Sequence, residues 1–244
     1  MIVIHSREDL LDYCRNNSVD IKSFNEAVVI LPGTDCVCLF EGFKSFNQPV
    51  NIPFGTKSVD FMFYGCKSFK QNIVLPDTVI SAKGMLADCS LFNNEIKFSS
   101  NLKFANYMFN NCTMFNKYLR LPDTLIDMSC MLSGASSYNS QFHIPNRVVN
   151  CRSLFANCFS FNQTVYVPSG VKDCSCMLRG CLRFRSNIII DGNPDTTFML
   201  LKCINVVSSN IHTKYKLKST TFDLMTLIDS VGECDLLTEF SNFR

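Results

Sequence analysis

Apolar residues recur along this chain in a fixed phrase, not in the period of one helix or one strand. Steps of 23 residues meet Leu39, Met62, Met85, Met108, Met131, Leu154 and Met177. With that series as column one, column two reads Phe40, Phe63, Leu86, Phe109, Leu132, Phe155 and Leu178. Column eight is aromatic throughout: Phe46, Phe69, Phe92, Phe115, Tyr138, Phe161 and Phe184. A period between about 20 and 50 residues marks a solenoid, in which each unit buries its apolar face only against its neighbours. Columns twelve and fourteen hold aliphatic pairs such as Val50/Ile52, Ile73/Leu75, Leu119/Leu121, Val165/Val167 and Ile188/Ile190. Alternation by two predicts a short strand with one buried face. Pro53, Pro76, Pro122, Pro145 and Pro168 follow and end pairing, because proline lacks an N–H donor. Around Met62, Phe63 and Cys66 the apolar spacing is that of one or two helical turns. Each coil is therefore expected to be a strand, a turn and a short helix.

The ends differ from the array. Ser6 followed by Asp9 forms a capping box for a helix over residues 7–15, with Leu10, Leu11 and Cys14 on one face. Lys22, Ser23, Phe24 and Asn25 echo Lys44, Ser45, Phe46 and Asn47 as a partial repeat. Asp191, Gly192, Asn193 and Pro194 form a turn cluster that ends the phrase. Beyond it, Lys214, Lys216 and Lys218 alternate with Tyr215 and Leu217 as an exposed basic strand would, and Thr220 caps a helix carrying Phe222, Leu224, Met225, Leu227, Ile228 and Val231. The expected organisation is an N-terminal cap and partial repeat at 1–38, a solenoid at 39–191 and a C-terminal α+β cap at 192–244. The fold class is an α/β repeat solenoid.

Composition changes this picture little. A net charge of +2 gives no global attraction to nucleic acid or to an anionic membrane. No stretch approaches the roughly 20 apolar residues of a membrane span, and Met1–Ser6 does not begin a secretion signal. A cytoplasmic protein is expected, in the host cytoplasm if the chain is viral. The 14 cysteines fall mainly in repeat columns, with Cys66, Cys89, Cys112, Cys158 and Cys181 in column five, where Ala135 takes the same place. A column that exchanges Cys for Ala selects a small buried residue. The pairs Cys36/Cys38 and Cys174/Cys176 lack zinc spacing and histidine partners. Reduced thiols, no metal and no cofactor are expected. Column nine, with Asn47, Asn93, Asn116, Asn139 and Asn162, suits a ladder that satisfies open backbone groups; Lys70 and Arg185 interrupt it.

The phrases Met-Phe-Tyr-Gly-Cys-Lys-Ser-Phe at 62–69, Met-Phe-Asn-Asn-Cys-Thr-Met-Phe-Asn at 108–116 and Leu-Phe-Ala-Asn-Cys-Phe-Ser-Phe-Asn at 154–162 resemble the BspA-type leucine-rich repeat. They are also similar to the methionine-phenylalanine repeats of bacterial surface proteins, protists and some phages. The resemblance covers about two thirds of the chain and implies a right-handed leucine-rich-repeat solenoid used for protein binding. It differs from the family's adhesins in showing no secretion signal or anchoring tail and in having Phe for Leu in column eight.

On such a coil, columns eleven and thirteen point outward from the strand. Column thirteen reads Asn51, Val74, Lys97, Arg120, His143, Tyr166 and Ile189, and column eleven includes Glu95, Tyr118 and Gln141. These columns do not repeat. Basic residues on successive rungs oppose one another by about 0.2 to 1 kcal/mol each, a cost that suggests a use. Lys97, Arg120, His143, Tyr166, Tyr118 and Glu95 are the candidate partner-binding residues, in keeping with the Arg and Tyr enrichment of interface hot spots. Lys214, Lys216 and Lys218 form a secondary basic strip. No residues are nominated as catalytic: His5, His143 and His212 lie apart in sequence, and no phosphate loop or nucleophile elbow is present.

The expected function is a non-enzymatic, monomeric solenoid that binds a partly acidic protein or a nucleoprotein complex, with direct nucleic-acid contact as a weaker variant. If phage-encoded, it would inhibit a host defence complex. The alternatives are a structural virion or surface-layer component and a thiol- or metal-dependent enzyme.

Overall fold

The computed structural model describes residues 2–215 and 217. At the N-terminal end β1 (Ile2–Ile4) pairs in parallel with β2 (Val28–Ile30), and the helix α1 (Arg7–Asn16) connects them. The capping box forms: the Asp9 N–H donates to the Ser6 hydroxyl at 3.2 Å, and the Ser6 N–H donates to the Asp9 carboxylate at 3.1 Å. Leu10 and Cys14 are buried and Leu11 half-buried. From the first turn of α1, Arg7 donates to the carbonyls of Cys38, Leu39 and Glu41, with its guanidinium 5.6 Å above the Phe43 ring. Leu39 and Glu41 stand where Met62 and Tyr64 accept N–H groups from the coil before them. One guanidinium thus replaces donors of the coil that is missing there.

Coils from Cys38 onward are bonded in a regular alternation. The N–H groups of Phe61, Phe63 and Gly65 donate to Lys83, Met85 and Ala87 of the next coil at 2.8 to 2.9 Å, while those of Met62, Tyr64 and Cys66 fold back onto Val59, Phe61 and Phe63. The short helix expected in each coil is therefore absent, and no α-helix lies between Asn17 and Thr213. Its place is taken by turns with two left-handed residues four apart, such as Phe61 and Gly65, Tyr107 and Asn111, and Ser153 and Asn157. A right-handed helix cannot hold such residues, and the carbonyls it would use internally accept from the neighbouring coil instead. Single parallel bridges mark the same side, running Ser58, Ser81, Phe104, Asp127, Asn150, Asp173 and on to Asp195.

Three side-chain ladders fill the stack. The column-eight rings are stacked, 6.2 Å apart between Phe46 and Phe69 and 5.8 Å between Phe92 and Phe115. Column-five thiols do more than fill space. Cys66, Cys89, Cys112, Cys158 and Cys181 each donate, at 3.0 Å, to a column-two carbonyl of the preceding coil. In column nine the carboxamide oxygens of Asn116, Asn139 and Asn162 accept the N–H of Asn139, Asn162 and Arg185 at 2.8 to 2.9 Å. Each coil therefore holds the next through core rings, thiols and amides as well as backbone.

The array does not stop at Asp191. Asp173 bridges Asp195, and the Cys203 thiol donates to the Leu178 carbonyl at 2.9 Å, so a further coil stacks on. Residues 173 and 195 are 22 apart, because one residue is missing between Ile190 and Asp195; that shift hides the phrase from a fixed step of 23. β7 (Ile211–Thr213) pairs with β6 (Ile188–Ile190), and Lys214, Tyr215 and Leu217 of the expected basic strand are described without strand structure. Lys216, Lys218 and the helix expected after Thr220 lie outside the described residues.

Candidate binding face

The strand side is bonded only in patches. β3 (Ile73–Val74) pairs with β4 (Ile96–Lys97), and β5 (Val165–Val167) pairs with β6, which pairs with β7. Between these patches 119–121 and 142–144 form no strand, although Leu119 and Ile144 are buried as the alternation requires. Among the described residues no backbone hydrogen bond joins 119–121 or 142–144 to the rungs on either side. The continuous strand face expected from the aliphatic pairs is thus open in the middle; 50–52 is likewise not a strand. The two open rungs carry Arg120 and His143 outward, next to Lys97 on β4, and like charges stacked directly across rungs oppose close approach.

Two hollows occupy this opening. One, of about 630 Å³, is lined by Glu95, Ile96, Lys97, Phe98, Lys117, Tyr118 and Arg120. The other, of about 280 Å³, is lined by Tyr118, Gln141, Phe142, His143, Gln163 and Thr164. Tyr118, 57% exposed, lines both and stands between them, so the two hollows lie side by side along one groove of the strand face. The structure therefore brings together five of the six candidates, Glu95, Lys97, Tyr118, Arg120 and His143. Tyr166 is exposed on the same column but lines neither hollow; its hydroxyl donates to the Asp191 carboxylate, and that bond raises its pKa above the ordinary phenol value. Lys117 and Phe142 were not candidates from the sequence and line the groove. His212 joins column thirteen, since its partner across the β6–β7 ladder is Ile189. Lys214 is exposed just past β7, its ammonium 5.5 Å from the centre of the Tyr215 ring.

The thiols are chemically distant from this groove. Cys130 and Cys151 are buried, whereas His143 is exposed. Burial pushes the thiols of Cys89, Cys151 and Cys181 well above their ordinary pKa and that of Cys174 to about 12, so the reactive thiolate is disfavoured. Among the described residues no group of three or more His, Cys, Asp or Glu side chains is placed to hold a metal ion, and no helix is long and apolar enough to cross a membrane.

Comparison with known proteins adds the fold and the family. The crystal structure of a T. pallidum leucine-rich repeat protein is similar to this chain with a TM-score of 0.51 and 18% identity, covering 68% of this chain and 78% of that one. A leucine-rich repeat protein from Bacteroides ovatus aligns at a TM-score of 0.38 and 17% identity, over 79% of this chain and 68% of that one. No curated protein matches the chain. The stacked coils are thus a leucine-rich-repeat-like fold. The family described as "Mycoplasma protein of unknown function, DUF285" matches three overlapping stretches, 4–98, 34–144 and 100–192, as a repeat shorter than the family's own unit would. Those stretches take in most of the array, and the chain belongs to the DUF285 family.

Proposed function

We propose that this protein is a non-enzymatic binding solenoid that holds a protein partner in the groove centred on Tyr118. The observation that carries the reading is the gathering of non-repeating residues: Tyr118, Arg120 and His143 on the two rungs where the strand ladder is open meet Glu95 and Lys97 of the bonded rung beside them. Columns that build the coil repeat themselves, and these do not. Among the described residues the backbone groups of the open rungs make no bond to the rungs beside them, and a partner can satisfy such groups. The chain acts as a monomer in a reducing compartment such as a cytoplasm, in keeping with the free thiols of all the described cysteines. Inhibition of a host defence complex by a phage-encoded protein is one specific form of this reading, and the partner's identity decides it.

The test is affinity capture from native host lysate with mass spectrometry, comparing the natural chain with a Lys97→Glu/Arg120→Glu variant. Hot-spot residues contribute about 2 kcal/mol or more each, so the variant is expected to lose the partner. Both side chains are exposed, and the thermal midpoint should stay within about 2 °C. Undiminished capture by the variant refutes the reading. A virion or surface-layer component would instead assemble through its ends and elute as a large species in size-exclusion chromatography.

A further inference from the structure

We infer that the occupant of the groove is an extended, acidic segment of the protein partner, and that Lys117 is a contact residue for it. This rests on the proposed function above and goes further in naming what is recognised.

Lys117 is the odd member of a scaffold column. In column ten, Gln48, Gln71, Asn94, Ser140 and Ser186 donate to the backbone carbonyls of Asn25, Asn47, Lys70, Asn116 and Asn162 in the coil before. Gln163 makes the related bond to the Asn139 side chain at 3.2 Å. Lys117 makes no such bond among the described residues and lines the larger hollow. Sequence drift on a solvated face does not explain a departure in a column whose other members are held by hydrogen bonds.

Lys117 joins Lys97 and Arg120 around that hollow, against one carboxylate, Glu95. The ion pairs among the described residues are those of Arg15 with Glu8 and Asp12, so the three cations of the hollow have no internal counter-charge within bonding distance. Asp77 lies within electrostatic reach of Lys97 without pairing to it, and with Glu95 leaves the hollow a net cationic site that matches an anionic ligand. The smaller hollow is neutral, with Gln141, Gln163, Thr164, Phe142 and Tyr118, apart from the titratable His143. The complement is a segment that is acidic at the Lys97 end and polar or aromatic at the Gln163 end. At the 5.8 to 6.2 Å from coil to coil seen between column-eight rings, the ends of the groove, three coils apart, lie roughly 18 Å from each other, and an extended chain covers that with about five or six residues.

Polypeptide is favoured over nucleic acid by the acceptors in the lining. The Glu95 carboxylate repels a chain that carries a phosphate at every unit, whereas a peptide can place its acidic residues at Lys97, Lys117 and Arg120 and an N–H donor at Glu95.

The experiment pans a ribosome-displayed random heptapeptide library on the full chain, then measures the best peptide by fluorescence anisotropy. Enrichment of peptides with two or more Asp or Glu is expected, as is a loss of about three- to fivefold in affinity for Lys117→Gln, which installs the residue natural to its column and so preserves folding. Competition by a 15-nucleotide oligo-dT at equal concentration should be absent. Enrichment of neutral or basic peptides, unchanged affinity in Lys117→Gln, or displacement by oligo-dT overturns the inference. If lysate capture fails in Lys97→Glu/Arg120→Glu while Lys117→Gln and acidic peptides leave it untouched, the inference fails and the proposed function stands. Capture indifferent to Lys97→Glu/Arg120→Glu removes both.

Discussion

Replacing Tyr138 by Phe should make the protein more stable. The ring of Tyr138 lies fully buried in column eight, stacked 5.9 Å from Phe115 and 6.1 Å from Phe161, and its hydroxyl has no hydrogen-bond partner among the described residues. Burial accordingly drives its pKa far above the ordinary phenol value. A buried hydroxyl that has left water without a new partner costs about 1 to 3 kcal/mol. Tyr138→Phe removes that cost, keeps both ring contacts, and forfeits the dispersion contacts of one oxygen atom, a few tenths of a kcal/mol on the order of two or three atom pairs. The net gain is about 1 to 2 kcal/mol, or roughly 2 to 8 °C for a chain of this size. Urea titration followed by far-UV circular dichroism and differential scanning calorimetry measure it directly. Phe161→Tyr, one coil away, is the reverse experiment and should destabilise by a similar amount. A loss of stability above about 0.5 kcal/mol in Tyr138→Phe, outside the ordinary scatter of neutral changes, would show that the hydroxyl is satisfied and the reasoning wrong.

Alkaline pH should weaken the fold through the thiol ladder. The buried thiols of Cys89, Cys151 and Cys181 stay protonated in the folded chain well above their ordinary range, and those of Cys174 and Cys203 up to about 12, whereas in the unfolded chain they ionise near about 8.5. Their contribution is full below about pH 8 and is lost as pH rises beyond that, by about 1.4 kcal/mol per pH unit for each fully titrating thiol. Urea midpoints between pH 7 and pH 10.5 should be level at first and then fall steeply; a level profile throughout contradicts the burial of these thiols. Two glycines at the same turn position should respond differently to Ala. At Gly134, with φ of 76°, a Cβ would lie 2.1 Å from the Asn111 carboxamide oxygen, whereas at Gly42, with φ of 78°, nothing lies within 4 Å. Gly42→Ala should cost the left-handed backbone term alone, about 1 to 2 kcal/mol, and Gly134→Ala visibly more, as read by thermal midpoints; equal losses would mean that Asn111 moves aside freely.

The columns that face the core were legible from the sequence because burial tolerates so few residue types. Met62, Phe63 and Phe69 with their counterparts announce the coil, and Ser6 with Asp9 announces α1. Backbone conformation inside the coil was harder to read, since Phe61, Tyr107 and Ser153 adopt left-handed backbone with no preference of their own for it. The signal lay four residues on, where Gly42, Gly65, Asp88, Asn111, Gly134, Asn157 and Gly180 share a tolerance for positive φ. Arg7 at the carbonyls of the first coil left no sequence mark, because one guanidinium there replaces a row of backbone donors. At the groove, the outward residues of columns eleven and thirteen were legible by their failure to repeat, and the same criterion applied to column ten would have found Lys117. The opening between rungs had no such mark: the buried partners Leu119 and Ile144 alternate as in any bonded strand.

The coil with one residue fewer also says how such an array keeps its own measure. The residue lost between Ile190 and Asp195 is restored between Cys203 and Ile211, where the 3-10 turn Ser208–Asn210 sits, so that Ile188 and Ile211 pair 23 residues apart again. Corners therefore act as slack, and an insertion or deletion there is corrected within one coil before it can displace the next. A residue gained or lost at such a corner leaves the order of side chains along the groove as it was.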